Sequence, residues 1–185
     1  MQTQPARRKL TLDDYNRIPD DGLRHEILDG VEFVSPSPRI RHQDIAGELY
    51  YQLRSFLAQS PVGKVYIAPT DVILSHFDVV VPDFVFVTAE RTTLINEKNI
   101  AGAPDLIIEI LSPSSRRVDE EIKRQRYAHF GVREYWIVDP KAEHLRCYRR
   151  GSGGVAAPEQ LSGEAVLETP LLPGFRLALA TLFPH

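Results

Sequence analysis

Pro104-Asp105-Leu106-Ile107-Ile108-Glu109-Ile110-Leu111-Ser112-Pro113, a charged stretch behind it, and then Glu134-Tyr135-Trp136-Ile137-Val138-Asp139-Pro140 decide how this chain reads. The first segment is a short run between prolines, rich in Ile and Leu. That is the pattern of a strand buried on both faces. Glu109 stands in its middle. A carboxylate there is costly unless a cation or hydrogen-bond donors meet it. Two readings are open at this point. Glu109 is a metal-binding or catalytic carboxylate, or it is the structural partner of a buried Arg or Lys.

Downstream, Ser114 or Ser115 caps a predicted helix that runs to Phe130 and stops at Gly131. At α-helical spacing Val118, Ile122, Tyr127 and Phe130 form its apolar arc, and Lys123 falls inside that arc. The plain reading of Lys123 is an i, i+4 pair with Asp119. Arg116, Arg117, Arg124 and Arg126 make the helix rich in cations. Tyr135 to Val138 is a second apolar strand, and Leu145 to Arg149 a third. On the third, His144, Arg146, Tyr148 and Arg150 share one face, either a surface for phosphates or a solvated edge kept unsticky by charge. A glycine-serine turn is expected at 151–154. The Leu171-Leu172-Pro173-Gly174-Phe175 region is expected to give short strands that finish the sheet, and a dimer surface.

Upstream, residues 1–10 read as a flexible tail, and Thr11 as the N-cap of a short helix ending near Pro19. Leu23 to Leu28 and Val31 to Val34 flank Asp29-Gly30, a strong hairpin signal. A two-residue turn sets Leu28 opposite Val31 and Glu26 opposite Phe33, so Glu26 points to the apolar face. Its plainer reading is a strand-end Glu reaching water. Ser35-Pro36-Ser37-Pro38 breaks the chain before a helix over about 41–59, with Ile45, Leu49, Leu53, Phe56 and Leu57 as its buried stripe. His42 opens that helix, within reach of a site or simply hydrogen-bonded in the first turn. Strands follow at Lys64 to Ala68 and Asp71 to Leu74, and then the β-rich run Val79 to Val87. Pro82 interrupts this run, and Asp83 after it is a third acidic residue in apolar company. Residues 88–103 read as a loop with one helical turn.

With 185 residues the chain fits a single domain over 11–185, and its net charge is 22 − 25 = −3. A protein that grips nucleic acid without a cation is usually more basic. The single cysteine, Cys147, excludes an internal disulfide and a cysteine-based zinc site, as expected in a reducing cytoplasm. No apolar run approaches the roughly 18 residues of a membrane span, and no secretory leader is expected.

Three carboxylates, Glu26, Asp83 and Glu109, and one lysine, Lys123, thus point inward from separate elements. Oxygen-only ligation suits Mg²⁺ or Mn²⁺. Pro82-Asp83 with Glu109 in the next predicted strand resembles the Pro-Asp…(Asp/Glu)-x-Lys nuclease superfamily. His25-Glu26-Ile27-Leu28-Asp29-Gly30, Val81-Pro82-Asp83, Glu109 to Ser114, Lys123 with Tyr127, and Gly131 to Pro140 are more closely similar to the Uma-type restriction endonucleases, over about residues 10–180. Pro104-Asp105 is a decoy for the Pro-Asp signature. The resemblance implies an α/β fold: a restriction-endonuclease-like core with a central mixed sheet flanked by helices, and an N-terminal hairpin. It implies Asp83 and Glu109 as metal ligands, with Glu26 and Lys123 completing the catalytic set. It also implies hydrolysis of DNA by a homodimer. The superfamily's lysine would stand two residues after Glu109, where this chain has Leu111; Lys123 on the next helix takes its place, as in the Uma-type family. A nuclease fold that only binds, and a hydrolase of another phosphoester, remain as alternatives. If the carboxylates cluster, each is expected to be less acidic than a free side chain when no metal is bound.

Overall fold

The computed structural model describes residues 8–151 and 154–183. A one-turn helix α1 (Leu12–Tyr15) leads into the hairpin β1 (Arg24–Leu28) and β2 (Val31–Ser35), then the long helix α2 (Ile40–Gln59). Strands β3 (Gly63–Ile67), β4 (Val72–Ser75), β5 (Asp78–Val80) and β6 (Phe84–Thr88) follow, then a 3₁₀ segment (Ala89–Leu94), β7 (Ile100–Ala101) and β8 (Leu106–Ile110). A π-type turn (Val118–Lys123) runs into α3 (Arg124–Phe130) and returns the chain to β9 (Glu134–Asp139). Strands β10 (His144–Gly151), β11 (Gly154–Val155), β12 (Glu159–Ser162), β13 (Val166–Glu168) and β14 (Arg176–Ala178) precede a last turn, α4 (Leu179–Leu182). No described helix is long and apolar enough to cross a membrane.

The larger sheet has the order β11-β10-β9-β8-β6-β3, with β12 also paired to β10. β8 and β9 run parallel while β3–β6, β6–β8 and β9–β10 are antiparallel, so the sheet is mixed. Every residue of β6, β8 and β9 is buried. Period-two alternation sends Phe84, Phe86 and Ile108 to one face, against Leu49 and Leu53 of α2. Val85, Val87 and Ile107 go to the other face, against Tyr127 of α3. Glu109 alternates with Ile108 and therefore faces the α3 side.

The second sheet has the order β2-β1-β5-β4-β7. Its hairpin has the expected register, with Glu26 opposite Phe33 and Leu28 opposite Val31. Asp29 (φ 51°) and Gly30 (φ 77°) both adopt the left-handed region that the tight turn demands. Thr11 and Asp14 form a reciprocal capping box on α1.

Several expectations change. The run Val79 to Val87 is not one strand: Pro82 separates β5 in the small sheet from β6 in the large one. Proline lacks a ladder donor, so the chain changes sheets there at no cost in pairing. Residues 88–103 contribute β7, parallel to β4. The face of His144, Arg146, Tyr148 and Arg150 is neither a solvated edge nor an open phosphate surface. β10 pairs on both sides, Tyr148 is buried against Tyr135, and Arg146 is ion-paired to Glu120. The helix over this sheet covers it. Leu171, Leu172 and Phe175 are buried in the α2-side core rather than exposed, and β13–β14 form a separate two-stranded sheet. At the N-terminus, residues 1–7 of the expected tail lie outside the described residues. Leu10 donates its N–H to Gly30 O at 2.9 Å, so the chain from Arg8 onward lies along the hairpin turn. The tip of the 151–154 turn, residues 152 and 153, is likewise outside the described residues.

Candidate active site

The two sheets meet at the Val81-Pro82-Asp83 break, and the backbone there dictates part of the site. Among the described residues, neither Val81 nor Asp83 has a strand neighbour for its N–H. Val81 N donates to Glu26 Oε1 at 2.8 Å, and Asp83 N reaches Glu109 Oε2 more loosely at 3.4 Å. Glu26 from β1 and Glu109 from β8 therefore satisfy the chain exactly where it crosses between sheets.

Lys123 joins them from the π-type turn. Its Nζ lies 2.9 Å from Glu109 Oε1 and 2.9 Å from Glu26 Oε1. It also lies 3.3 Å from Asp119 Oδ1, the i, i+4 partner, so both readings of this lysine hold at once. Wide π turns recur at functional sites; this one presents Asp119 and Lys123 inward together. Tyr127, one turn on, donates its hydroxyl to Glu109 Oε1 at 3.2 Å. Glu26, Glu109 and Lys123 are each only 2% exposed. Asp119 Oδ1 is buried and, among the described residues, has no hydrogen-bond partner.

Asp83 sits beside this cluster in different company. Arg24 Nη1 donates to its Oδ1 at 3.0 Å, and Ile110 N donates to its Oδ2 at 2.8 Å. His42 Nε2, from the first turn of α2, lies 3.0 Å from the same Oδ2.

These environments separate the acidities. Burial pushes Glu109 up to about 8; Lys123 opposes this, while Asp119, Asp83 and Glu26 reinforce it. Burial also raises Asp119, against the pull of Lys123. For Lys123 burial disfavours the charge, but Glu109, Glu26 and Asp119 outweigh it and hold the ammonium charged. Asp83 departs from the expectation that every clustered carboxylate is less acidic. Burial opposes its charge, yet His42, Arg24 and the Ile110 amide together keep it below the ordinary carboxylate range.

The structure thus brings together all four residues singled out in the sequence. Sequence reasoning did not assign Arg24, Asp119 or Tyr127 to the site, and left His42 undecided. Arg24 was available from period two, since it alternates with Glu26 on the same face of β1. The decoy is structural: buried Asp105 accepts from Thr88 N at 2.9 Å and from Arg91 Nη1 at 2.8 Å, away from the cluster.

Two hollows open on either side of Asp83 beneath the Ser35–Pro38 segment. The smaller, about 240 Å³, has Asp83, Glu109, Asp119 and Lys123 in its wall, with Ser112 to Ser115 opposite. The larger, about 570 Å³, runs along α2. The donor set is all oxygen, which suits a hard cation. Among the described residues no group of three or more His, Cys, Asp or Glu side chains is arranged to hold a metal ion. Mg²⁺ needs less, because it binds through one or two carboxylates and keeps several waters. Asp83 and Glu109 are the neighbouring carboxylates on the smaller hollow, and the Asp83 oxygens are met by Arg24, His42 and the Ile110 N–H.

A family model described as "putative restriction endonuclease", Uma2, matches residues 12–180. The crystal structure of a "putative nuclease belonging to DUF820" from Anabaena variabilis is similar in fold, with a TM-score of 0.77 at 23% identity, over 94% of this chain and 97% of that one. Comparison with curated proteins finds no match. The match to the family model spans most of the chain, and the mixed α/β architecture agrees with it: the chain belongs to the Uma2 family.

Proposed function

We propose that this protein is an endonuclease that hydrolyses DNA phosphodiester bonds with the help of Mg²⁺ or Mn²⁺. The observation that carries this reading is Lys123 Nζ at 2.9 Å from both Glu26 and Glu109, beside Asp83, on the wall of an open hollow. The family description and the nuclease fold of the structural relative support it. Asp83 and Glu109 would hold the ion, which polarises a phosphoryl oxygen and lowers the pKa of water. Asp83 is ready for that task because it is already ionised. Glu109, whose pKa is raised to about 8, would have to be ionised to hold the ion, and Lys123 Nζ, 2.9 Å from it, would supply an ammonium donor beside the ion. Such a donor would suit a phosphate oxygen or the attacking water. Glu26 and Asp119 keep Lys123 charged and in place meanwhile. The active form is a cytoplasmic homodimer, the commonest closed assembly of identical chains.

A second reading is a nuclease fold that binds without cutting. It is favoured by the saturation of Asp83, whose two oxygens already meet Arg24, His42 and the Ile110 N–H. Incubation with DNA in several forms and Mg²⁺ or Mn²⁺, beside a Glu109→Ala control, separates the two. Products made by wild type and absent from the variant support cleavage. Identical products from both proteins refute it, and activity on another phosphoester alone would move the substrate class.

A further inference from the structure

The larger hollow touches the chemistry above only at Asp83; Glu109 and Lys123 line the smaller one. At about 570 Å³ it lies within the roughly 300–1,000 Å³ of pockets that enclose small ligands. It follows one flank of α2, where His42, Ala46 and Tyr50 recur at four-residue spacing; Leu23, Ile67 and Phe84 line it as well, and Asp20, Asp71 and Asp83 leave Arg24 as the cation of its wall. Aromatic and apolar walls of this kind suit the flat face of a nucleobase.

Three observations tie this hollow to the carboxylate cluster and to a strand of DNA. Arg24, His42 and Asp83 line both hollows, which therefore share a wall. Arg24 gives one guanidinium N–H to Asp83 at 3.0 Å, and among the described residues its guanidinium makes no other hydrogen bond. Its remaining donors fit a phosphate oxygen at the junction of the two hollows. Gly47 stands at the rim of the larger hollow inside a 20-residue helix, where a Cβ would meet nothing within 4 Å. No packing demand explains a glycine there, and a side chain would enter the open space.

We infer that the larger hollow is a subsite for one unpaired nucleotide of a DNA strand, its base against Tyr50 and its phosphate at Arg24, next to the bond held at Asp83 and Glu109. This rests on the nuclease reading and narrows its substrate class to unpaired or locally opened DNA. The depth of the site points the same way. Glu109 and Lys123 are almost fully buried. A stacked duplex lends a base to a concave wall only at the cost of unstacking it, whereas an unpaired strand is spared that cost. The net charge of −3 also supplies little sequence-independent grip on a duplex.

Fluorescence anisotropy with a labelled oligothymidylate and with a labelled hairpin duplex tests this, in EDTA and again with Ca²⁺. The single strand is expected to bind more tightly than the duplex. Tyr50→Ala and Gly47→Phe are each expected to weaken single-strand binding about fivefold or more, with duplex binding little changed. The melting temperature should stay near wild type for Gly47→Phe and fall for Tyr50→Ala, because Tyr50 also packs on the core. Gly47→Phe adds its ring into open space, and Tyr50→Ala gives a second reading if that variant fails to fold. Equal affinity for both DNA forms, no binding to either, or single-strand affinity unmoved in both variants would overturn the subsite. The readout is binding, so the two proposals fail separately. A protein that shows this pattern but cuts nothing keeps the subsite and loses the nuclease activity. One that cuts intact duplex and ignores both substitutions does the reverse.

Discussion

Lys123 is one positive charge among three buried carboxylates, and its removal strands them. Lys123→Met should lower unfolding stability by about 3–5 kcal/mol at neutral pH, the usual cost of breaking a buried pair. Urea melts will show this, and the deficit should shrink at pH 5 as Glu109 and Asp119, whose pKa values burial already raises, take up protons. Glu109 gives the opposite pH signature. Its native pKa, about 8, lies above the ordinary 4.5. The stability it contributes is therefore complete below pH 4.5 and is lost as the pH rises through 8. Without metal, Glu109→Gln should flatten that decline in melts between pH 5 and 9; a decline equal to that of wild type would contradict the assignment. Metal affinity should rise with pH over the same interval, because Glu109 must ionise to bind.

At the scale of elements, the helix from the π-type turn to Phe130 is fixed to the small sheet by a half-buried ion pair. Arg126 Nε and Nη2 lie 2.7 and 2.6 Å from the two oxygens of Asp78, which is fully buried. Burial opposes the charge on Asp78, but Arg126, the Asp29 N–H and Ser75 hold its pKa below normal. The resulting stability is present above the unfolded-state value of about 3.9 and is lost as the pH falls below it. Asp78→Ala should cost about 1.5–3 kcal/mol at neutral pH, because Arg126 loses its two close hydrogen bonds and keeps only the longer approach to Asp29, and should reduce the acid sensitivity of unfolding. In α2, Gly47→Ala should stabilise by about 0.5–1 kcal/mol, since only backbone freedom is lost there. These elements differ in how legible they were. The hairpin, the stripe of α2 and the buried strand around Glu109 follow from turn chemistry and periodicity, which are local. The π-type turn does not, because a 3.6-residue period was assumed where the helix widens to turn Asp119 and Lys123 inward together. The basic face of β10 was misread for a related reason. Only tertiary packing shows that the β8-to-β9 crossover helix lies over it.

For the whole molecule, function depends on where two sheets join. Pro82 ends β5 and releases the chain to β6, and the N–H groups flanking it are met by Glu26 and Glu109. The sequence marked Pro82, Asp83, Glu26 and Glu109 as out of place for a plain core, which made the site residues recoverable. It could not reveal that one proline divides two sheets. Nor could it reveal that the Ser35–Pro38 link carries His42 back onto Asp83, because both depend on long-range closure. The measurement that bears most directly on the cluster as a metal centre is a crystal soaked in Mn²⁺, with anomalous scattering recorded at the manganese edge. A peak between the Asp83 and Glu109 carboxylates, with Lys123 still beside Glu26, is the predicted result. No peak there at millimolar Mn²⁺, with Asp83 still held by Arg24 and His42, would contradict it.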